Sequence, residues 1–234
     1  MMKIEVLFPE FGNLYGDLSN INYLKKCIPE AEIIETSYNS EPAFLKEDIN
    51  LIYIGPMSEN SQELVLRKLM PYKDKIEELI NKNVVFLLIG NSLELLGKYI
   101  EKEDGTKIGC LDIFDIFSKR NMLNRLNSNV VGSFEDIEIV GFQSQFTTMY
   151  GNNSDKYFLE LKLGIGCNNS NLEGIKINNF IGTSVIGPIL ILNPLFTKKI
   201  LKMMGLENTK LEFEEEVLNA YNARLQEFYR KFIK

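Results

Sequence analysis

The chain predicts an α/β protein: a doubly wound, mostly parallel sheet, with antiparallel strands added after its midpoint and a long helix at the C-terminus. Three observations carry this expectation. Val84 to Ile89 is an unbroken apolar run of strand length, as expected of a central strand covered on both faces. Strand-like and helix-like stretches alternate through the N-terminal part, the pattern that winds helices onto both faces of a parallel sheet. Finally, Val217, Leu218, Tyr221, Leu225, Phe228 and Phe232 recur every three or four positions, which is the apolar stripe of an amphipathic helix.

Taken in order, Lys3 to Phe8 reads as the first strand, ended by Pro9 and Gly12. Leu18, Ile21, Leu24 and Cys27 then predict a crossover helix that stops at Pro29, and Ala31 to Thr36 a second strand. Asn50 to Gly55 is a third, buried strand ended by Gly55-Pro56. Ser58 to Ile80 is helical, with Leu64, Leu66, Leu69, Ile76, Leu79 and Ile80 as core candidates and Pro71 as a break. The fourth strand runs into Gly90-Asn91, after which Ser92 reads as an N-cap and Leu93, Leu96 and Ile100 as one face of a helix. Strand, sharp turn and helix hold an exposed nucleophile in many α/β hydrolytic enzymes. Here the tip of the turn is Gly90, which has no side chain.

Beyond Gly105 the character changes. Ile113 to Phe117 is apolar, and Lys119, Arg120 and Arg125 fall in what reads as a polar loop. Ile137 to Phe142 and Tyr157 to Leu163 are strands separated by turn-rich stretches, which predicts antiparallel structure appended to the sheet. Phe180 to Pro188 is a further strand and turn, and Asn193-Pro194 opens a helix to Met204. Thr209 and Glu212 fit a capping box for the last helix. The expected organisation is one α/β unit over residues 1–205 and an amphipathic helix over 206–234, packed on that unit or on a partner.

Composition narrows the function. With 45% hydrophobic and 25% charged residues in 234, the chain reads as globular, and a net charge of −6 offers no basic surplus for nucleic acid. No run approaches the roughly 18 apolar residues of a membrane span, and the N-terminus lacks a leader-like segment. Cys27, Cys110 and Cys167 are far apart, which argues against disulfides and thiolate metal sites and for a reduced, cytoplasmic setting. No metal or cofactor is expected. The chain contains no histidine, so no imidazole of its own can serve as a base.

Several segments, in unbroken order over roughly residues 1 to 205, resemble the class I glutamine amidotransferases. Within them the match is to the cobyric-acid-synthase-like branch that includes the GatD-like glutaminase subunits of lipid II isoglutaminyl synthase. Leu14-Tyr15-Gly16-Asp17 with Asn20-Ile21 is similar to the opening motif of that branch. Gly55-Pro56-Met57-Ser58-Glu59-Asn60-Ser61-Gln62 stands where the branch has Gly-Gly-Gly-x-Asp-x-x-Gln. Asn124-Arg125-Leu126, Val140-Gly141-Phe142, Glu173-Gly174, Ile181-Gly182-Thr183 through Gly187-Pro188, and Asn193-Pro194 match later motifs. The resemblance implies a flavodoxin-like sheet of the class I amidotransferase type.

The departures fall on the chemistry. In the family the elbow is Cys-Gly-Gly-Tyr-Gln-x-Leu-Gly, whose cysteine attacks the amide of glutamine; here it is Gly90-Asn91-Ser92-Leu93-Glu94-Leu95-Leu96-Gly97. The family's base histidine aligns with Ile186, and a second histidine with Gln145. The catalytic positions Gly90, Ile186 and Gln145 are thus degenerate, and glycine adopts the elbow conformation without strain. Asn91 is expected to narrow the pocket beside the oxyanion donors. Arg125, Asn91, Ser92, Glu94 and Gly55 are the candidate ligand-binding residues, Arg125 as a bidentate partner for a carboxylate. Asp17 and Glu59 are expected as solvated rim carboxylates. Ser92, Cys110 and Cys167 lack a histidine to activate them.

The resulting expectation is a noncatalytic amidotransferase-like subunit or binding module. The resemblance implies a Mur-ligase-like ATP-dependent synthetase as its partner, in amidation of a cell-wall precursor, and a glutamine-like small molecule as a ligand. Two alternatives stand beside it: an active amidotransferase with an unrecognised nucleophile, and a sensor of an amino-acid-like ligand.

Overall fold

The computed structural model describes residues 1–232. In chain order the elements are β1 (Lys3–Leu7), α1 (Ser19–Cys27), β2 (Glu32–Thr36), β3 (Leu51–Ile54), α2 (Glu59–Leu69), α3 (Lys73–Asn81), β4 (Val85–Ile89), β5 (Tyr99–Glu101), β6 (Lys107–Gly109) and β7 (Ile116–Arg120). There follow β8 (Leu126–Phe134), β9 (Ile137–Gln145), β10 (Thr147–Gly151), β11 (Leu159–Leu163), β12 (Leu172–Glu173), β13 (Ile175–Ile177), β14 (Phe180–Thr183), α4 (Ile189–Leu192), α5 (Pro194–Met203) and α6 (Glu214–Phe232).

The central sheet has six strands in the order β13-β14-β4-β3-β1-β2. It is parallel except for β13, which pairs antiparallel with β14. The run Val85–Ile89 is buried throughout, and its side chains alternate between two cores. Val85, Leu87 and Ile89 pack with α1, α5 and residues of β8 and β9; Phe86 and Leu88 pack with α2, α3 and the β5–β7 region. A continuous apolar run is what a strand needs when both faces are covered.

The additional strands do not extend that sheet as expected. They form two further four-stranded sheets, β10-β7-β5-β6 and β12-β11-β8-β9, and only β13 joins the central edge. Each packs through its own apolar face, Val130, Phe134 and Ile139 into one core and Ile100, Ile116 and Met149 into the other. Lys119 and Arg120 belong to β7 rather than to a loop, because Thr147 and Thr148 pair with them across the ladder.

Three local expectations are corrected. The segment after the elbow is a short 3-10 turn, Gly90–Leu96, and not a helix continuing to Ile100. Lys98 donates its backbone N–H to Ile116 O at 2.7 Å, which draws the chain into β5. Around Pro71 the helix does break, into α2 and α3, but Val65 fills the core position and Leu64 is only partly buried. The last helix begins at Glu214, not at a Thr209–Glu212 box; Glu214 itself reaches back to accept from Leu211 N at 3.1 Å.

Helix α6 packs on its own chain. Val217 and Tyr221 are buried, and Tyr221 meets Val131 and Val140 with Leu225, Phe228 and Tyr229 around them. The Tyr221 hydroxyl donates to Glu138 O at 2.8 Å, and Lys162 binds Glu138 at 2.6 Å beside Tyr229. Phe232, at the end of the stripe, is 47% exposed. No helix among the described residues is long and apolar enough to cross a membrane. In urea titrations Tyr221→Phe is expected to lose about 1 kcal/mol, the worth of one hydrogen bond, and Tyr221→Ala about 3 kcal/mol, because packing is lost as well.

Candidate functional site

The site is assembled where β3 and β4 end side by side. Ile54 pairs with Leu88, so the loops after them, Gly55–Ser58 and Gly90–Leu96, leave the same rim of the sheet, where open α/β folds place their ligands. Three short approaches lock these loops. Gly55 lies against Gly12, and a Cβ on Gly55 would fall 2.1 Å from Gly12 O. Leu14 N donates to Pro56 O at 3.1 Å. The amide of Asn91 clasps the Met57 backbone at both ends, accepting from Met57 N at 3.0 Å and donating to Met57 O at 2.8 Å.

Gly90 occupies the elbow tip with φ +66°, a conformation that strains any residue with a side chain. The space above it is filled. A Cβ built on Gly90 would lie 2.7 Å from Pro56 Cβ and 3.6 Å from Ile186 Cγ2. Pro56 stands where the family motif has glycine, so the missing elbow side chain and the added ring occupy the same volume. Pro56 also brings no N–H, and the next one, on Met57, is already bound by Asn91. Neither amide of this loop is open to stabilise an oxyanion.

An outer cavity of about 260 Å³ opens over this floor. Gly90, Asn91, Gln145, Ile186 and Arg125 line it, so the three degenerate positions and two of the candidate ligand residues do converge. Ile186 is held there by its N–H, which donates to Phe142 O at 2.8 Å. Arg125 is exposed, its guanidinium carbon 4.4 Å from the centre of the Phe146 ring. Tyr15, at φ +61°, forms part of the wall.

The other candidates are placed differently. Ser92 neither caps a helix nor lines a cavity: it is fully buried and its hydroxyl donates to Ile89 O at 2.8 Å and Ile54 O at 3.0 Å, tying the two strand ends together. Gly55 serves the backbone contact with Gly12 rather than a ligand. Glu94 lies beneath the elbow on an inner cavity of about 20 Å³, shared with Gly90, Gln145, Thr147, Cys167 and Glu173.

A buried polar chain supports the site. Arg120 donates to Glu63 Oε1 at 3.0 Å and to Gln62 Oε1 at 2.9 Å. Gln62 in turn donates to Glu94 Oε2 at 2.9 Å and to Asn91 O at 2.7 Å, and Thr147 donates to Glu94 Oε1. Burial pushes the Glu94 carboxyl above its ordinary range, opposed by these hydrogen bonds and by the Arg120 charge. Glu173 is raised by burial in the same way, against donors from Ser184 and Thr183. Burial also lifts the Cys110 thiol to about 12 and the Cys167 thiol to about 11, far from the thiolate a nucleophile needs.

Asp17 is not a solvated rim carboxylate. It is completely buried, accepts from the Tyr53 hydroxyl, and keeps one oxygen without a partner among the described residues. Glu59, by contrast, stays half-buried on the outer cavity. Pro56, Gln62 and Arg120 are the site residues that sequence reasoning passed over, while Asp17 was expected at the rim and not in the interior. Pro56, Gln62 and Asp17 had a signal, since the first replaces a motif glycine and the other two keep motif residues; Arg120 had none beyond its residue type.

The three-layered α/β fold and its strand-to-turn elbow define a class I glutamine amidotransferase domain. More narrowly, the chain belongs to the CobB/CobQ-like glutamine amidotransferase family, which matches residues 3–191. It is similar to the lipid II isoglutaminyl synthase (glutamine-hydrolyzing) subunit GatD of Staphylococcus aureus, at 28% identity over 88% of this chain and 85% of that subunit. It also matches the cobyric acid synthase of Clostridium kluyveri, at 27% identity over 63% of this chain, but spans 34% of that longer protein. Among solved structures, a glutamine amidotransferase aligns with TM-score 0.57 at 11% identity, over 86% of this chain and 98% of that one. A second, from Thermotoga maritima, aligns with TM-score 0.54 at 11% identity over 96% and 97%. Those two likenesses concern the fold.

Burial raises Asp17 from its ordinary 3.8 to about 6. Its contribution to stability is therefore full below about pH 4 and is lost as pH rises through about 6. Asp17→Asn removes that dependence. Comparing urea midpoints of the two proteins from pH 4 to pH 7.5 should show the parent losing up to about 3 kcal/mol relative to the variant.

Proposed function

We propose that this chain is an amidotransferase-like subunit that does not hydrolyse glutamine, and that it works in the cytoplasm beside an ATP-dependent synthetase of the Mur-ligase type in amidation of a cell-wall precursor. One observation carries the first part. The elbow tip has no side chain, and the volume a nucleophile would need is taken by Pro56, with Ile186 facing it. Acyl transfer from an amide needs an attacking atom, a base and donors for the oxyanion. At this elbow the first two positions are Gly90 and Ile186, and the loop's Met57 N–H is bound by Asn91. The likeness to the lipid II isoglutaminyl synthase subunit GatD, which runs over most of both chains, supports the partner and the pathway. What the chain retains for such a role is the scaffold and the outer cavity over the elbow.

The test is glutamate release from glutamine, by the purified chain and by the chain recovered with its natural partners. No release by the purified chain is expected. Release that disappears on Cys167→Ala or Ser92→Ala would overturn the proposal.

The Pro56–Gly90 fit makes a separate prediction. Gly90→Cys should destabilise the protein by about 1–3 kcal/mol through overpacking. Pro56→Gly placed in the same chain should recover the overpacking part of that loss by opening the space, leaving the strain of a side chain at φ +66°, with glutamate release still absent. Denaturant midpoints of the three proteins decide it.

A further inference from the structure

The stretch that carries Ile186 over the elbow joins the end of β14 to the start of α4, and carboxylates from outside it meet it at two points. At the first, Glu173 accepts from Thr183 Oγ1 at 2.8 Å, from Ser184 N at 2.7 Å and from Ser184 Oγ at 2.8 Å. Both oxygens of Glu173 are thereby satisfied. At the second, Asp17 meets Gly187 with a weaker grip. Its Oδ2 accepts from the Tyr53 hydroxyl, whereas the Gly187 backbone acts on the carboxyl without completing a hydrogen bond, and Oδ1 keeps no partner among the described residues.

The groups that act on the Asp17 carboxyl are Tyr53 of β3, Asn20 of α1 and the Gly187 backbone, and none brings a positive charge. Tyr53 stays neutral, its own ionisation pushed far up by burial and by Asp17. A completely buried carboxylate with an orphaned oxygen and no counter-charge is costly, and a neutral carboxyl is much less so. Water is within reach. Gly187 is half-exposed, turns through φ +88° and has open space where a Cβ would stand. Ser184 is tied by Glu173 on one side, and on the other Leu190 N donates to Asn20 at 2.9 Å. The piece free to lift is therefore residues 186–188, and lifting it gives up one isolated bridge, between Ile186 and Phe142.

We propose that residues 186–188 form a proton-controlled flap on the outer cavity: with Asp17 neutral the flap lies closed, and ionisation of Asp17 lifts it so that water reaches the carboxylate. The proton leaves to solvent as the flap rises. Because Ile186 lines the cavity, the cavity floor is complete in acid and breached at neutral pH. The flap uses Asp17 and this loop alone, so it stands or falls independently of whether the elbow hydrolyses glutamine. Lifting returns the carboxyl from about 6 toward its ordinary 3.8, which means that the closed form binds the proton more tightly. Opening therefore grows as pH rises from about 4 to about 6 and levels off above that, by about 100-fold in all.

Amide hydrogen exchange followed by NMR from pH 4 to pH 7.5, corrected for the intrinsic rate, tests the flap. Protection of Ile186 and Gly187 should fall by up to about 100-fold between pH 4 and pH 6 and then hold steady, unaffected by urea below the unfolding transition. Asp17→Asn, neutral at every pH, should keep both amides protected throughout. Tyr53→Phe removes a donor that favours the ionised form, and should carry the fall to higher pH. A flat profile in the parent would overturn the flap. So would a fall that Leu87 and Leu88 of β4 share with the same urea dependence, since that is global unfolding. A folded Asp17→Asn that keeps the parent's profile would overturn it as well, and if that variant does not fold, the parent's profile decides.

Discussion

The contact between Pro56 and the bare elbow at Gly90 is the constraint on which the rest of the site depends. Glycine is there for two physical reasons at once. The backbone turns through φ +66°, and the Pro56 ring stands where a Cβ would begin. Because both loops leave adjacent parallel strands, their separation is set by the sheet, and neither can retreat without pulling on β3 or β4. Asn91 then fixes the vertical position of the Met57 backbone, and Gly12 against Gly55 fixes its lateral position. The floor of the outer cavity is the surface left by these contacts.

Beneath that floor, burying charge required a fully connected set of partners. Arg120 on β7, Gln62 on α2, Glu94 under the elbow and Thr147 on β10 come from four separate elements: Arg120 donates to Gln62, Gln62 donates to Glu94, and Thr147 donates to the other oxygen of Glu94. An isolated buried carboxylate or guanidinium is expensive, while one that is paired and hydrogen-bonded is tolerated and strongly resists removal of a single partner. The chain therefore joins the β5–β7 sheet to the elbow with directional bonds where apolar packing alone would leave the register loose. Ser92 does similar work a few ångströms away, its hydroxyl bridging the carbonyls that end β3 and β4.

Scaffold and chemistry are separable in this family member. The chain matches the CobB/CobQ-like glutamine amidotransferase family over residues 3–191 and carries an elbow turn and rim loops at the ends of β3 and β4. The side chains that meet over the elbow, Gly90, Ile186 and Gln145, offer neither a nucleophile nor a proton acceptor of imidazole type. Pro56 and Ile186 give the floor at the elbow an apolar surface, with Gln145 beside them on the same cavity.

Much of the fold was legible because it rests on local periodicity. The run Val85–Ile89, the stripe of α6 and the break at Pro71 each announce their structure within a few turns or pleats, and the motifs from Leu14 to Pro194 placed the family. The 3-10 turn after Gly90 and the start of α6 were misplaced, because a distant strand at Ile116 and a reach-back from Glu214 outweigh the local pattern. Likewise the burial of Asp17 and Arg120 and the second and third sheets arise from pairings across tens of residues. By itself the sequence determined the α/β class, the absence of any histidine, and that Gly90 and Ile186 are the residues at the elbow. Only the tertiary structure decided that Pro56 fills the vacated volume, that Ser92 and Gly55 serve the backbone, and that Arg125 and Glu59 face one cavity. Those facts depend on distances between segments brought together by packing, and no spacing along the chain encodes such distances directly.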